Sequence, residues 1–283
     1  MSRRAHAAPL SSLYLILLLL AIAAVIVDAP SRWASGVGLL RHAEWDGVLP
    51  ADLVTPVFLF LLGAAIPLSP RAPRTPALLT IAAALCAAGL ALNGLWRADL
   101  ATWRFTGVLQ RAGMTLAVAA AANAAATGDH RRRIALLASF AVLITLTYWL
   151  AMAHVTPPGG SAGDLAPAAN LAAWLDRVAL GPHAWNLRWD PDGILSTLSS
   201  ISTVLAGLVA GIVIASSAHR TRATLQMIGA GAGAVVGGVL WTPMVPLNRS
   251  LWSASFVVCT AGVAAIVLAA WSWLAARSWR ERR

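Results

Sequence analysis

Eight apolar stretches of about twenty residues constrain this sequence more than any other feature. Seven of them contain no Asp, Glu, Lys or Arg, and the eighth carries a single charge, Arg111. A helix of about 20 predominantly apolar residues crosses the hydrocarbon core of a bilayer. The pattern therefore predicts an all-α, polytopic membrane helix bundle with about eight transmembrane helices.

The composition agrees with a membrane protein. Hydrophobic residues make up 59% of the chain, charged residues 11%, and the mean hydropathy is +0.72, whereas a soluble domain has about 25% charged residues. The run from Leu10 to Val27 is longer than the core of a signal peptide and precedes no clear cleavage site, so we expect a retained first helix. We assign residues 1–283 to one domain, with helices at about 10–27, 53–70, 76–95, 107–127, 134–153, 194–215, 225–242 and 251–274.

The arginines predict the orientation of the bundle. The net charge of +10 comes from arginine alone, because the sequence has no lysine. With a cytoplasmic N-terminus, thirteen of the twenty-one arginines fall on the inner side and seven on the outer side. This asymmetry follows the positive-inside rule, so we expect both termini in the cytoplasm. Since the arginines lie mostly in short loops between apolar runs, the basic charge indicates a lipid bilayer as partner and not nucleic acid.

The cysteines and the glycine-rich run have structural interpretations. Cys86 and Cys259 each lie inside an apolar run, where they form neither a disulfide framework nor a metal-binding pair. Gly229, Gly233 and Gly237 recur every four residues, a spacing that predicts close packing against another helix through a face of small residues. A nucleotide-binding loop is not indicated, because no lysine completes a Walker motif.

A dense polar cluster precedes the second helix, at the start of the stretch from Arg41 to Ser69. It contains His42, Glu44, Trp45, Asp46 and Asp52. Charge beside hydrocarbon costs several kcal/mol unless it is paired or hydrated, which makes this cluster the first candidate for chemistry. A neutral imidazole near pH 7 takes a proton, acts as a nucleophile or binds a metal. The alternative is an interfacial histidine bonded to a loop carbonyl. No metal site is expected, because no second histidine stands at ligand spacing.

Arg111 is the second unusual residue, since it lies about one turn inside the fourth helix. An arginine inside a membrane usually pairs with an acid or with a bound anion, and the alternative is that it snorkels to the interface. For Asp52 and for the two aspartates before the sixth helix, the alternative is structural: each carboxylate stabilises the positive end of the dipole of the helix that follows it. The predicted topology nevertheless brings six such polar residues to the outer face: His42, Asp52, Arg111, Asp190, Asp192 and Asn248.

Five segments of the chain resemble the membrane family of heparan-alpha-glucosaminide N-acetyltransferase and its bacterial relatives. They read LLRHAEWDG, PADLVTPVFLFLLGAAIPLS, FTGVLQRAG, WDPDGILSTLSSISTVLAG and VPLNRSLWSASFV. They occur in the family's order, and the resemblance covers the chain from about residue 25 to residue 265. As a set the segments are specific, although one short motif alone would not be.

The resemblance implies an acyltransferase in a bacterial inner membrane. Such an enzyme moves an acetyl group from cytoplasmic acetyl-CoA, its co-substrate, to an amino sugar or glycan on the far side. The family's proposed catalytic histidine corresponds to His42. That histidine acts on the acceptor amine as general base or carries the acetyl group transiently, and the sequence does not choose between these two chemistries.

Two features depart from the family pattern. Family members usually begin the first helix with S-L-D-x-x-R-G and end it with V-N, whereas residues 12–18 read SLYLILL and Asp28 stands at the asparagine position. Family members also usually continue with further helices after the eighth, so the resemblance implies that either part of a CoA-binding wall or part of the closure of the bundle is missing. The alternative function is a catalytically degenerate homologue that acts as a transporter, a scaffold or a partner subunit. A transporter is less favoured, because no convincing internal repeat is found.

The sequence therefore yields a defined set of candidate residues. The catalytic candidates are His42, Asp52 and Arg111. The acceptor-binding candidates are Asp28, Trp45, Asp190, Asp192, Asn248 and Trp252. A homo-oligomer or a complex with a partner subunit is compatible with this assignment, and the natural acceptor is not defined by the sequence.

Overall fold

The computed structural model describes residues 7–27, 41–69, 73–96 and 99–280. Within these ranges the chain forms nine α-helices and two short 3₁₀ turns, without a β-strand. The helices are α1 Ala7–Val27, α2 Pro50–Leu68, α3 Thr75–Trp96, α4 Val108–Ala125, α5 His130–His154, α6 Leu171–Ala179, α7 Ile194–Ser216, α8 Arg220–Leu240 and α9 Ala254–Arg280. The predicted all-helical membrane bundle is confirmed.

Six of the helices are long and apolar enough to cross a membrane, namely α2, α3, α5, α7, α8 and α9. The apolar part of α1, Ser12–Val27, is shorter. Helix α4 is less apolar because Gln110 and Arg111 lie in its first turns. The chain is a multi-pass integral membrane protein.

Helix α6 was not predicted. It lies in the long segment between α5 and α7, to which no helix was assigned from the sequence. Asn170 caps it by accepting a 2.8 Å hydrogen bond from the amide of Ala173. Arg177 on the same helix donates to the carbonyl oxygens of Ala168 and Arg188, and so holds the loop together.

Helices α2 and α7 form the centre of the bundle, and most of their residues are buried, whereas most of α3, α5 and α8 is not. The two central helices approach closely through glycines. A β-carbon on Gly207 would collide with the carbonyl oxygen of Phe60, and one on Gly63 would collide with that of Val204. Gly211, four residues after Gly207, packs on Ala64 in the same way. Small residues at this spacing let membrane helices pack backbone to backbone.

The prediction of close packing by α8 named the wrong glycines. Gly229, Gly233 and Gly237 face open space, with no atom within 4 Å of an added β-carbon. The glycines of α8 that contact α9 are Gly231 and Gly238. The three glycines do form a small-residue face, but none of the described residues packs against it.

Candidate functional site at one end of the bundle

The long helices alternate in direction, which gathers the polar loops at one end of the bundle. Helices α2, α4, α7 and α9 begin there, and α1, α3, α5 and α8 end there; we call it the site end. Three hydrogen bonds tie its loops together. Gly47 N–H donates to the carbonyl of Leu247 at 2.7 Å, the Trp45 indole to Leu165 at 3.0 Å, and Phe105 N–H to His183 at 3.1 Å.

His42 and Asp52 form a hydrogen-bonded pair at the site end. The Nδ1 atom of His42 lies 2.7 Å from Oδ1 of Asp52. The histidine side chain is 25% exposed and the aspartate side chain 1%, so a ligand can reach the imidazole but not the carboxylate. The other ring nitrogen, Nε2, lies 3.1 Å from the carbonyl oxygen of Val27, the last residue of α1. Both the catalytic hypothesis and its alternative, a backbone-bonded histidine, therefore have a matching contact.

The start of α2 positions Asp52. Pro50 occupies the first helical turn, where its missing N–H costs nothing, and Leu49 precedes it as N-cap. Oδ2 of Asp52 accepts the amides of Leu49, at 2.7 Å, and Ala43, at 3.1 Å. With both oxygens engaged, the carboxylate is fixed in orientation and holds the loop that carries His42 against the helix.

Arg249 approaches the same carboxylate oxygen as His42. Its Nε is 4.0 Å from Oδ1 of Asp52, and its side chain is 9% exposed. Arg249 also lowers the pKa of Asp192 through its charge. It therefore connects the pair formed by His42 and Asp52 electrostatically with a second cluster of charges.

The second cluster is built around Asp190 and Asp192, in the loop before α7. Arg104 donates to Oδ1 of Asp190 at 2.8 Å and to Oδ2 of Asp192 at 3.0 Å. Thr106 donates to Oδ2 of Asp190 at 2.5 Å. These side chains are all buried. Both aspartates therefore act within the protein as anchors of the loop, which leaves their predicted contact with the acceptor untested.

The predicted intramembrane Arg111 is buried and does not snorkel, since only 1% of its side chain is exposed. It donates to the carbonyl of Pro191 at 2.8 Å and to the hydroxyl of Ser196 at 2.6 Å. Its Nε lies 3.4 Å from Oδ1 of Asp192. The arginine thus pairs with an acid, as the sequence suggested.

The pKa of Asp192 is set by this surrounding charge. Burial alone would raise it, but the charges of Arg111, Arg104 and Arg249 outweigh burial and hold the pKa below its ordinary value. Three buried arginines thus stabilise the ionised carboxylate of Asp192, just before the start of α7.

The indole ring of Trp252 packs against the guanidinium group of Arg111. Its side chain is fully buried, and its backbone has φ 52°, a left-handed conformation that is strained for a bulky residue. Its indole donates to the hydroxyl of Thr203 at 3.1 Å, and its carbonyl accepts from Ser199 at 2.7 Å. As placed here, Trp252 supports the arginine and is not exposed to a ligand.

Trp45 and Asn248 border the site on another side. The amide of Asn248 donates to Asp46 at 3.2 Å and its oxygen accepts from the amide of Leu251 at 2.8 Å. Trp45 packs edge to face on Trp189, with ring centroids 5.2 Å apart. Of the predicted site residues, Asp28 lies outside the described residues, and the others gather at the site end.

Sequence reasoning missed several members of the site. Arg104 and Arg249 were counted only as loop arginines, although each lies close to the start of an apolar run. A dense group of hydroxyl residues in the first half of α7 also went unremarked. Its buried members are Ser196, Thr197, Ser199, Ser200, Ser202 and Thr203.

Asp176, on α6, was also missed. It is buried, and its Oδ1 accepts the amide of Ile194 at 2.9 Å, so it caps α7 from a neighbouring helix. Burial raises its pKa to about 7, and the nearby charge of Asp190 adds to the shift, while the Ile194 amide and Arg111 oppose it. A carboxyl inside a nine-residue helix in a loop gives no sequence signal of such burial.

Comparison with known proteins supports a family relationship. No family model matches the chain. Heparan-alpha-glucosaminide N-acetyltransferase from Mus musculus is 25% identical in an alignment of 288 positions that covers 81% of this chain and 44% of the relative. The Homo sapiens protein of the same name is 27% identical in an alignment of 289 positions, covering 81% and 43%. The chain thus spans less than half the length of the curated relatives it matches. The resemblance read from the sequence is confirmed, and the chain is a distant relative of the heparan-alpha-glucosaminide N-acetyltransferases.

Proposed function

We propose that the protein is a membrane acyltransferase of a bacterial inner membrane. It moves an acetyl group from cytoplasmic acetyl-CoA to the amine of an amino sugar or glycan on the periplasmic side. The observation that carries the proposal is the contact of 2.7 Å between His42 and Asp52, in a chain distantly related to N-acetyltransferases.

The pair has the geometry that a general base requires. In this proposal the neutral imidazole carries its proton on Nδ1, which donates to the Asp52 carboxylate, and Nε2 is the reactive nitrogen. An Nε2 atom that is hydrogen-bonded to the Val27 carbonyl carries a proton, so the reactive state forms once that proton is lost. An amino-sugar amine is mostly protonated near neutral pH and must lose a proton before it attacks. Nε2 takes that proton, and the carboxylate stabilises the imidazolium that forms. For this step Nε2 has to leave the carbonyl of Val27, which it faces at 3.1 Å.

Two routes use this geometry. In the direct route the amine attacks the acetyl carbonyl carbon, the C–S bond breaks, and His42 passes the amine's proton to the departing CoA sulfur. In the carrier route Nε2 attacks the thioester carbonyl carbon, the C–S bond breaks and CoA leaves as a thiolate. The amine then attacks the acetyl-imidazole, the bond between the acetyl carbon and Nε2 breaks, and Nε2 takes the proton that the amine releases. The second route leaves a transient acetyl group on the protein, so the two are distinguishable.

The charges around the pair have supporting roles in this proposal. Arg249 and Arg111 balance the buried aspartates, and Arg111 holds the loop before α7 in place. Trp45 and Asn248 border the exposed edge of His42 and form the acceptor side. Of the other residues of the acceptor-binding hypothesis, Asp28 is proposed to contact the acceptor, whereas the buried Asp190, Asp192 and Trp252 are proposed to act by holding the neighbouring loops in place.

The test uses inside-out membrane vesicles that contain glucosamine in their lumen. Labelled acetyl-CoA is added outside, and labelled N-acetylglucosamine is measured inside. The His42→Ala variant should lose transfer by about 100-fold or more, since a general base contributes about 10²–10⁴. His154→Ala is the matched control, because His154 is exposed at the end of α5 and should leave transfer unchanged.

Label trapped on the wild-type protein, and absent from His42→Ala, would establish the carrier route. Transfer that persists in a folded His42→Ala variant would overturn the assignment of His42. If the folded wild type transfers no acetyl group, the catalytic proposal fails and the alternative of a degenerate transporter, scaffold or partner subunit takes its place.

A further inference from the structure

A cavity of about 140 Å³ lies at the site end, beside the proposed acceptor side. It is enclosed by the last turns of α5, the loop between α5 and α6, and the loop between α8 and α9. Its walls are mainly apolar and aromatic, and they include Tyr148, Trp149, Met152, Leu165, Met244 and Leu251. An acetyl group alone is far smaller than this space.

The lining indicates the chemistry of the occupant. Both hydroxyl groups of the lining are already engaged, since the Tyr148 hydroxyl donates to the carbonyl of Leu251 and the Ser253 hydroxyl donates to Pro246 at 2.7 Å. Water needs two to four polar partners, and an apolar cavity of about 150 Å³ stays dry and binds a benzene-sized group. Two flexible methionines in the wall adapt to variable apolar shapes. A hydrocarbon group of about six carbon atoms therefore fits this space.

Two residues that line the cavity are hydrogen-bonded to residues of the candidate site. Leu165 lines the cavity, and its carbonyl accepts the indole N–H of Trp45 at 3.0 Å. Leu251 also lines it, and its amide donates to the side chain of Asn248 at 2.8 Å. Trp45 is only three residues from His42. One molecule with a polar head and an apolar arm can thus occupy both sites.

The position of the cavity suits a molecule held in the membrane. On α5, Leu146 and Leu150 lie on the exposed surface near the cavity. Met244, at the edge of the cavity, is 69% exposed, and an apolar ligand in the cavity would bury part of its side chain. Trp149 is held in the wall by an edge-to-face contact with Trp241, with centroids 5.5 Å apart.

We propose that the acceptor is an amphipathic amino sugar, with a hydrocarbon aglycone whose first carbons occupy this cavity while the amine reaches His42. The inference rests on the proposed function, because it names the class of acceptor for the same site. It separates this chain from an enzyme that acts only on free or fully hydrophilic sugars.

The binding test does not depend on catalysis. The full chain in lipid nanodiscs is photolabelled with octyl glucosaminide that carries a diazirine in its alkyl chain. Label should fall on the end of α5 or on the segment from Met244 to Ala254, both in the wild type and in His42→Ala. Excess octyl glucosaminide should compete and glucosamine should not. Label elsewhere, or equal competition by octanol, would overturn the proposal, the latter in favour of a bilayer lipid chain.

The kinetic test compares octyl glucosaminide with glucosamine as acceptors. The wild type should favour the octyl compound in kcat/KM by about tenfold or more, from burial of its first carbons. Ala153→Phe places a ring in the cavity and should bring that ratio close to one. Leu150→Phe, on the exposed face of α5, should keep the wild-type ratio. Equal use of both acceptors by the wild type contradicts the inference, whereas acetylation of neither contradicts the proposed function, and the photolabelling result still decides the ligand.

Discussion

The guanidinium carbon of Arg111 lies 4.4 Å from the centre of the Trp252 ring. The arginine comes from α4, whereas the tryptophan precedes α9, so the contact joins two distant parts of the chain. Trp252 reaches this position only by adopting a left-handed backbone conformation. A strained residue that persists beneath a buried cation indicates that the surrounding contacts determine its placement.

Replacing Arg111 should destabilise the protein strongly. Arg111→Met leaves Asp192 with one fewer balancing charge in a buried site, and breaking a buried ion pair costs about 3–5 kcal/mol. Arg111→Lys should keep only part of the stability that Arg111→Met loses, because an ammonium cannot donate to Pro191 and Ser196 and also stack on Trp252. Thermal unfolding of the detergent-purified protein measures both.

The double variant Arg111→Met with Asp192→Asn should be more stable than Arg111→Met alone, since it removes the unbalanced charge. Arg188→Met, at an exposed arginine in the preceding loop, should unfold like the wild type. If Arg111→Met also unfolds like the wild type, the ion pair does not stabilise the fold.

Asp52→Asn should impair transfer while the protein stays folded. The amide has the shape of the carboxylate, but it stabilises an imidazolium much less, so kcat is expected to fall by at least about tenfold with a smaller change in KM. Glu44→Gln removes an exposed carboxylate two residues from His42 and should leave kcat unchanged. Equal loss in both variants would indicate a general charge effect and not orientation of His42.

Much of the site was predictable because membrane burial makes polar residues conspicuous. His42, Asp52 and Arg111 stand out in or beside apolar runs, and topology alone placed them at one end. The partners of Arg104 were not predictable, because Asp190 and Asp192, to which it donates hydrogen bonds, are 86 and 88 positions away in the sequence. An arginine in a loop looks the same in the sequence whether it is solvated or paired.

The helix contacts were less predictable than the helices. Spacing of small residues identifies a face that can pack closely, but it does not say what lies opposite. The sequence therefore predicted a packing partner for glycines of α8 that contact none of the described residues, whereas Gly207 and Gly211, which join the two central helices, were not noticed. Helix α6 was missed because it is only nine residues long and lies in a loop rich in Pro and Gly, although its apolar residues gather on one face.

Substitution of these glycines offers a matched comparison. Gly207→Leu should force α7 away from the backbone of Phe60 and lower the unfolding free energy by about 1–3 kcal/mol or more. Gly233→Leu makes the same chemical change on α8, where an added side chain meets open space, and should be tolerated. Yield of folded protein and thermal unfolding check both, and equal damage from the two variants would contradict the described packing of α7 on α2.

Asp176 should make stability depend on pH. Its pKa is about 7 in the folded protein against an ordinary 3.8, so the folded state binds more protons between these values. The free energy of unfolding should therefore fall as pH rises from about 4 to about 7, by up to about 4 kcal/mol, and then level off. Asp176→Asn should remove this fall, whereas Asp99→Asn, at an exposed carboxylate, should keep it. Parallel stability curves for Asp176→Asn and the wild type would contradict the raised pKa.

The orientation of the bundle decides whether His42 faces the periplasm. Ala162 is exposed in the loop between α5 and α6 at the site end, and Ala218 is exposed between α7 and α8 at the opposite end. Each is replaced by cysteine in a background where Cys86 and Cys259 are alanine. If the excess of arginine marks the cytoplasmic side, a membrane-impermeant maleimide added to spheroplasts should label Ala162→Cys at once and Ala218→Cys only after lysis. The reverse pattern would place His42 on the same side as cytoplasmic acetyl-CoA, and the reaction would then need no transfer across the membrane.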